Sequence, residues 1–270
     1  MYNRLNQAHQ WGNFMSQKFN TTKRFGLEGC EAFVPGLKYL FDAAVELGCR
    51  EFVIGMAHRG RLNTLANVVR KPMEIIMGEL QGITPEVKET EQLSAGDVKY
   101  HLGTTLERKY GADQVDVRMT LLANPSHLEA VNPVVGGRAR AEQHYRGGKA
   151  ESRREVMPII VHGDAAMAGQ GVVFECLQMA QLSNYEVGGT VHVVINNQVG
   201  FTTTPDRQRS GNYCSDVAKA INAPIFHVNA QSMENVMRVF KIAAEYRQKF
   251  KNDVVIDLIG FRKFGHNELD

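Results

Sequence analysis

Six short runs of nearly unbroken apolar, β-rich residues recur along this chain with helix-forming stretches between them, and that alternation constrains the fold most. They are Phe52-Val53-Ile54-Gly55-Met56, Met119 to Leu122, Pro158 to Val161, Val191 to Ile195, Ile225 to Val228 and Val254 to Ile259. A strand that is apolar at every position, not at every second one, must be buried on both faces. Between the runs, Leu37, Leu40, Phe41, Ala44 and Leu47 fall on one helical face within Pro35 to Leu47, and Val172 to Leu182 and Met233 to Phe250 read as helices. Strands of this kind separated by helices predict an α/β fold: a mostly parallel sheet with helices on both faces. Leu62 to Arg70 and Pro72 to Leu80 read as further helices, and the polar stretch Gln81 to Gly96, with Pro85 inside it, as a loop.

Residues 1–24 space Leu5, Ala8, Trp11, Met15 and Phe19 at helical intervals and lack a signal-peptide core, so they predict an N-terminal helical segment ahead of one domain over 25–270. A hydrophobic content of 43% over 270 residues is enough for a sizeable core. Lys plus Arg at 31 against Asp plus Glu at 29 gives a formal charge of +2 with no basic stripe, which argues against a nucleic-acid partner. The cluster Arg146, Lys149, Arg153 and Arg154 reads as a solvated loop. No run approaches the ~20 apolar residues of a membrane-spanning helix. Cys30, Cys49, Cys176 and Cys214 form no Cys-x-x-Cys pair, which argues against a zinc site or disulfide framework and fits a reducing compartment. The stop at Leu269-Asp270, directly after a strand and a polar turn, reads as the cut end of a fragment.

The segment with most chemical content runs from His162-Gly163-Asp164-Ala165-Ala166 to Asn196-Asn197-Gln198-Val199-Gly200. Asp164 directly follows one predicted strand and Asn197 the next, about 33 residues on, a span that suits one crossover helix between parallel neighbours. Neighbouring strand ends lie about 4.8 Å apart, so a carboxylate and an amide oxygen would meet at the carboxyl edge of the sheet, where open α/β folds bind ligands. That pair suits Mg²⁺, which takes oxygen ligands and is commonly shared between a few protein groups and phosphate. Gly169-Gln170-Gly171, ahead of a helix beginning near Val172, offers small residues and free N–H groups to an anion. Singly, Asp164 could be no more than a helix cap and Asn196-Asn197 no more than a turn; together after two strands they predict a metal-bound diphosphate.

Gly163-Asp164 followed by Asn196-Asn197 resembles the thiamine-diphosphate fingerprint, and Ala165 in place of its usual third glycine resembles the form in 2-oxoglutarate dehydrogenases. Further segments similar to that family are Arg24-Phe25-Gly26-Leu27-Glu28-Gly29, Ala57-His58-Arg59-Gly60-Arg61-Leu62-Asn63, Gly96-Asp97-Val98-Lys99-Tyr100-His101-Leu102-Gly103, Asn124-Pro125-Ser126-His127-Leu128-Glu129 and Gly265-His266-Asn267-Glu268. The resemblance implies that thiamine diphosphate and Mg²⁺ are the cofactors. Asp164 and Asn197 would hold the metal by their side chains and Val199 by its carbonyl. Arg59 would pair with the diphosphate, as a planar guanidinium can, and His127 and His266 would stand beside the cofactor or the intermediate formed on it. His58 and His101 match substrate-holding positions, while His192 and His227 alternate with strand apolars and read as structural.

By the same resemblance the reaction is oxidative decarboxylation of 2-oxoglutarate with succinyl transfer to lipoamide, in the tricarboxylic acid cycle. The aminopyrimidine-binding domain, with its activating glutamate, would be absent from these residues, leaving them inactive alone. The partners would be a second copy, pairing through the thiamine-binding domains, and a lipoyl-bearing succinyltransferase. The place would be the mitochondrial matrix, with a bacterial cytoplasm as the alternative. Three rival readings are weighed. An NAD-linked oxidoreductase fails because Gly169-x-Gly171 has no third glycine in register and Asn196-Asn197 stands where an acidic residue should end the next strand. A 2-oxoadipate dehydrogenase differs by one methylene, worth only ~1–3 kcal/mol, and Tyr100-His101-Leu102-Gly103 looks more like the oxoglutarate form. A non-catalytic diphosphate-binding fragment is the third.

Overall fold

The computed structural model describes residues 1–83 and 101–269. Its elements in chain order are α1 (Tyr2–Lys18), α2 (Phe33–Glu46), β1 (Glu51–Met56), α3 (Arg61–Asn63), α4 (Met73–Gln81), β2 (Thr104–Tyr110), β3 (Val115–Leu121), α5 (Val131–Tyr145) and α6 (Ala150–Glu155). Then follow β4 (Val156–Gly163), α7 (Asp164–Gly169), α8 (Gly171–Met179), β5 (Val191–Asn196), α9 (Pro205–Gln208), β6 (Ile225–Asn229), α10 (Met233–Phe250) and β7 (Val254–Ile259). The strands form one seven-stranded sheet in the order β2-β3-β1-β4-β5-β7-β6, parallel except for the edge pair β2 and β3.

The sheet is apolar in its middle because both faces are covered. Every residue of β1 and β5 is buried. On one face α1, α2 and α10 enclose the main core, with Phe41 stacked on Phe52 at 4.5 Å and Ala8, Trp11 and Met15 of α1 joining it. On the other, Val131, Val135 and Ala139 of α5 pack over Val53 and Ile160, and α8 covers Val194 and Val255. Burying a Leu, Val or Phe side chain is worth about 1.5–3 kcal/mol each, so this double cover is what holds the strand ends in place.

The expected α/β sheet is thus present, and three local expectations change. Thr104–Tyr110 is a strand that the search for continuous apolar runs passes over, because at the sheet edge only alternate residues face inward. Asp164–Gly169 is itself helical and breaks at Gln170, so the helix after β4 opens at Asp164 and a second opens at Gly171. The basic cluster is a loop only in part: Arg146, Lys149 and Arg154 are exposed as expected, but Ala150–Glu155 is helical, Arg146 pairs with buried Glu51, Arg153 with Glu186, and Arg154 donates to the Leu47 carbonyl. Helix 62–70 is present but passes into a π-helical turn over Thr64–Val68. Most of the expected loop 81–96, and Gly96 to Tyr100 of its motif, lie outside the described residues.

Among the described residues no helix is long and apolar enough to cross a membrane.

Candidate active site

β4 and β5 are parallel neighbours, with Gly163 opposite Ile195, so Asp164 and Asn197 each stand just beyond the last paired residues of adjacent strands. The crossover between them is α7 and α8. Asp164 opens α7 with its side chain only 3% exposed. Its Oδ2 accepts a hydrogen bond from Gln208 Nε2 at 2.9 Å, and Arg209 Nη1 lies 4.0 Å away. Burial raises the Asp164 carboxyl above its usual range, and Gln208 and Arg209 offset part of that. A group held this way gains from any cation delivered to it.

After Asn197 the backbone turns sharply. Gln198 and Phe201 take positive φ, Gly200 and Thr203 form a two-residue bridge, and Val199 N–H donates to Asn197 Oδ1 at 3.3 Å. Gly200 is required by close approach: a Cβ there would lie 2.1 Å from Gln208 Oε1 and 2.8 Å from the Ala165 methyl. Ala165, the departure from the usual third glycine, therefore packs into the space that Gly200 leaves. The turn carries Phe201 onto His266, ring centroids 4.8 Å apart, and so joins the Asp164 region to the chain's last loop.

That last loop is tied to two others. Glu268 accepts backbone N–H bonds from Arg24, Phe25 and Gly26 at 2.8, 3.1 and 2.6 Å. Burial works to raise its carboxyl, and those donors outweigh burial, leaving it below the usual range. Arg262, fully buried, bridges Glu28 at 2.6 Å and reaches Glu268 at 3.5 Å. Arg59, only 8% exposed, donates to the carbonyls of His266 and Gly26 at 2.6 and 3.3 Å, and it is not the surface arginine that its turn would ordinarily suggest. Its charge survives at neutral pH although burial and nearby Arg262 push its pKa down to about 10.

His58 lies between these loops, its ring 4.1 Å from Phe25 and 5.7 Å from His266. Burial first, then the charge of Arg59, drives its pKa down to about 3. The imidazole is neutral at pH 7 and can donate one hydrogen bond and accept another. His101 stands where β2 begins, at the same carboxyl edge of the sheet as the parallel strand ends, since antiparallel β2 starts opposite Leu121. Arg61 fixes it there. This guanidinium is completely buried and donates to the carbonyls of Met56, His101, Leu102 and Leu122, tying the His58 loop to the His101 segment. Burial and Arg61 lower the His101 pKa.

His58, Arg59 and His266 are thus brought together, Asp164, Asn197 and Val199 form a second group, and Phe201 spans the two. His127 is exposed. His192 is buried in a chain of hydrogen bonds, Glu129 to His162 to His192 to Asp253 at 2.6, 3.0 and 3.2 Å, in keeping with a structural place in the sheet, and His227, at the exposed end of the sheet, pairs with buried Asp257. Glu268, Arg262, Arg61, Gln208 and Arg209 had drawn no role from the sequence. The first three sit inside or beside matching motifs, which was the available signal. Gln208 and Arg209 lie in Pro205-Asp206-Arg207-Gln208-Arg209, a polar run that local pattern cannot tell from any exposed loop.

The family model for the dehydrogenase E1 component matches residues 4–270. The chain belongs to the dehydrogenase E1 component family. It is 53% identical over 267 residues to the mitochondrial 2-oxoglutarate dehydrogenase of Dictyostelium discoideum and 50% identical over 270 residues to that of Schizosaccharomyces pombe. It is also 50% identical over 267 residues to a mitochondrial 2-oxoglutarate dehydrogenase-like protein of Rattus norvegicus. Those matches cover 99–100% of this chain and 26% of each relative, so the chain spans about a quarter of their length.

The residues present fit a magnesium diphosphate. The oxygens at the strand ends are a carboxylate, an amide and a carbonyl, all hard donors. Asp164 is the one anionic oxygen donor of that set, and a phosphate group would add further hard, anionic oxygens.

Proposed function

We propose that this chain is the diphosphate- and metal-binding part of a mitochondrial matrix 2-oxoglutarate dehydrogenase, which decarboxylates 2-oxoglutarate and passes the succinyl group to lipoamide. The observation that carries the reading is the joining of three loops and two strand ends at one edge of the sheet, with His58, Arg59, His266 and Phe201 in continuous contact beside Asp164. The names of the relatives supply the substrate.

Asp164, Asn197 and the Val199 carbonyl would hold Mg²⁺, and Arg59 the diphosphate. Thiamine diphosphate, when bound, supplies the nucleophilic carbon and the electron sink for losing CO₂. The chain's own residues orient and exclude. Neutral His58 and His101 donate hydrogen bonds to carboxylate oxygens of the 2-oxoacid without a fixed positive charge to be desolvated. Buried Phe25 and the ring of His266 shield one side of His58 from water, which strengthens the hydrogen bonds made there. The acid–base group for the aminopyrimidine would come from a second domain in a partner copy, and lipoamide from a succinyltransferase component. Without such a group turnover falls by roughly 10²–10⁴-fold.

The experiment is CO₂ release from 2-oxoglutarate with ferricyanide as electron acceptor. It compares the chain alone with a full-length relative that carries these residues in place of its matching quarter. Turnover is expected only in the full-length enzyme, and Asp164→Ala should abolish it. An inactive chimera that still binds cofactor would argue against the assigned reaction, and sustained turnover by the chain alone would contradict its reading as half a site.

A further inference from the structure

Arg209 is a buried cation that the site as described does not use. Its side chain is 13% exposed, and its Nε and Nη1 are buried without a hydrogen-bond partner among the described residues. Among the described residues the carboxylate it faces is Asp164, at 4.0 Å, beyond hydrogen-bond length, and Gln208 already donates to that oxygen at 2.9 Å. Gln208 Oε1 is likewise buried and unpartnered, lodged against Gly200. A guanidinium with two unmatched N–H groups out of water is costly unless an anion approaches it.

Charge decides what that anion can be. With Asp164 and Arg209 together the pocket is neutral; a divalent cation alone would set two positive charges beside the guanidinium in a site screened little by solvent. A diphosphate carried by the metal reverses the balance, since its several surplus negative oxygens can accept separately from the orphaned Nε and Nη1, which lie on different edges of the guanidinium. We infer that Arg209 is a second diphosphate-binding cation, beside Arg59, which makes metal and diphosphate bind as one unit by opposing the metal at Asp164 until the anion is present. The inference rests on the diphosphate–metal reading of the site.

The test is the affinity of the chain for Mn²⁺, measured by calorimetry and by the loss of the free-ion paramagnetic resonance signal, with and without inorganic pyrophosphate. Asp164→Ala provides the blank. In the wild type, pyrophosphate should tighten Mn²⁺ binding at least ~100-fold. In Arg209→Met, Mn²⁺ alone should bind more tightly and Mn²⁺ with pyrophosphate more weakly, so that this enhancement shrinks by at least ~10-fold; Arg209→Lys, which keeps the charge and loses the separate Nε and Nη1 donors, should fall between. These fold-changes correspond to about 1.4 kcal/mol per factor of ten. An enhancement unchanged in both variants overturns the role of Arg209 and leaves the Asp164 site intact. Wild-type protein that binds neither Mn²⁺ nor its pyrophosphate complex above the blank removes both readings.

Discussion

At the scale of single residues, the environment of His58 has a consequence for stability. Its folded pKa of about 3 lies well below the ordinary value of 6.5, so below pH 6.5 the unfolded chain takes up a proton that the folded chain refuses. Stability attributable to this group is fully present above pH 6.5 and is lost as pH falls toward 3. His58→Gln should therefore flatten the acid limb, gaining about 1–2 kcal/mol on the wild type between pH 7 and pH 5 in urea unfolding series. Parallel curves for the two proteins would contradict a neutral, buried imidazole. Arg59 makes a different claim. Arg59→Lys keeps the charge and loses the fork that spans the His266 and Gly26 carbonyls, so thiamine diphosphate should bind at least ~10-fold more weakly by calorimetry, an outcome that unchanged affinity would refute. The identity of such residues was legible in the motifs. Their state was not, because the burial that neutralises His58 comes from Phe25 and His266, distant in sequence.

At the scale of elements, Arg61 and the turn after Asn197 hold the loops in register. Arg61 leaves its own helix to cap carbonyls of β1, of the segment before β2 and of the residue after β3. Arg61→Met should destabilise the protein by about 2–4 kcal/mol in denaturant unfolding; a loss under 1 kcal/mol would show that water replaces the guanidinium. In the turn, Gly200→Ala must push aside the Ala165 methyl as well as the flexible Gln208 amide. About 1–3 kcal/mol of stability should go with it, and a neutral result would mean that the turn relaxes freely. Six strands were legible as apolar runs because each is buried on at least one side against helices. The strand Thr104–Tyr110 escaped because its outward positions, Thr105, Glu107 and Lys109, are polar and interrupt any apolar run. The helix start after Gly169-Gln170 was legible, whereas the helix Asp164–Gly169 before it escaped because six residues are too few to show a helical period.

For the whole molecule, the account makes one sheet edge responsible for the chemistry. The parallel order β1-β4-β5-β7 brings the ends of strands nearly two hundred residues apart in sequence to one line, and the outer loops close over it through Glu268 and Arg262. Adjacent β4 and β5 followed from the crossover length. The convergence of residues 24–29, 57–61 and 262–268 did not, since it depends on buried ion pairs that leave no periodic trace. Calorimetric binding of thiamine diphosphate to the chain, with and without Mg²⁺ and in wild type against Asp164→Ala, tests the central claim most directly. Binding should require Mg²⁺ and weaken at least ~100-fold in the variant, as loss of the charged metal ligand demands. Equal affinity with and without the metal, or an Asp164→Ala variant that binds as the wild type does, would contradict a metal-held diphosphate at this edge.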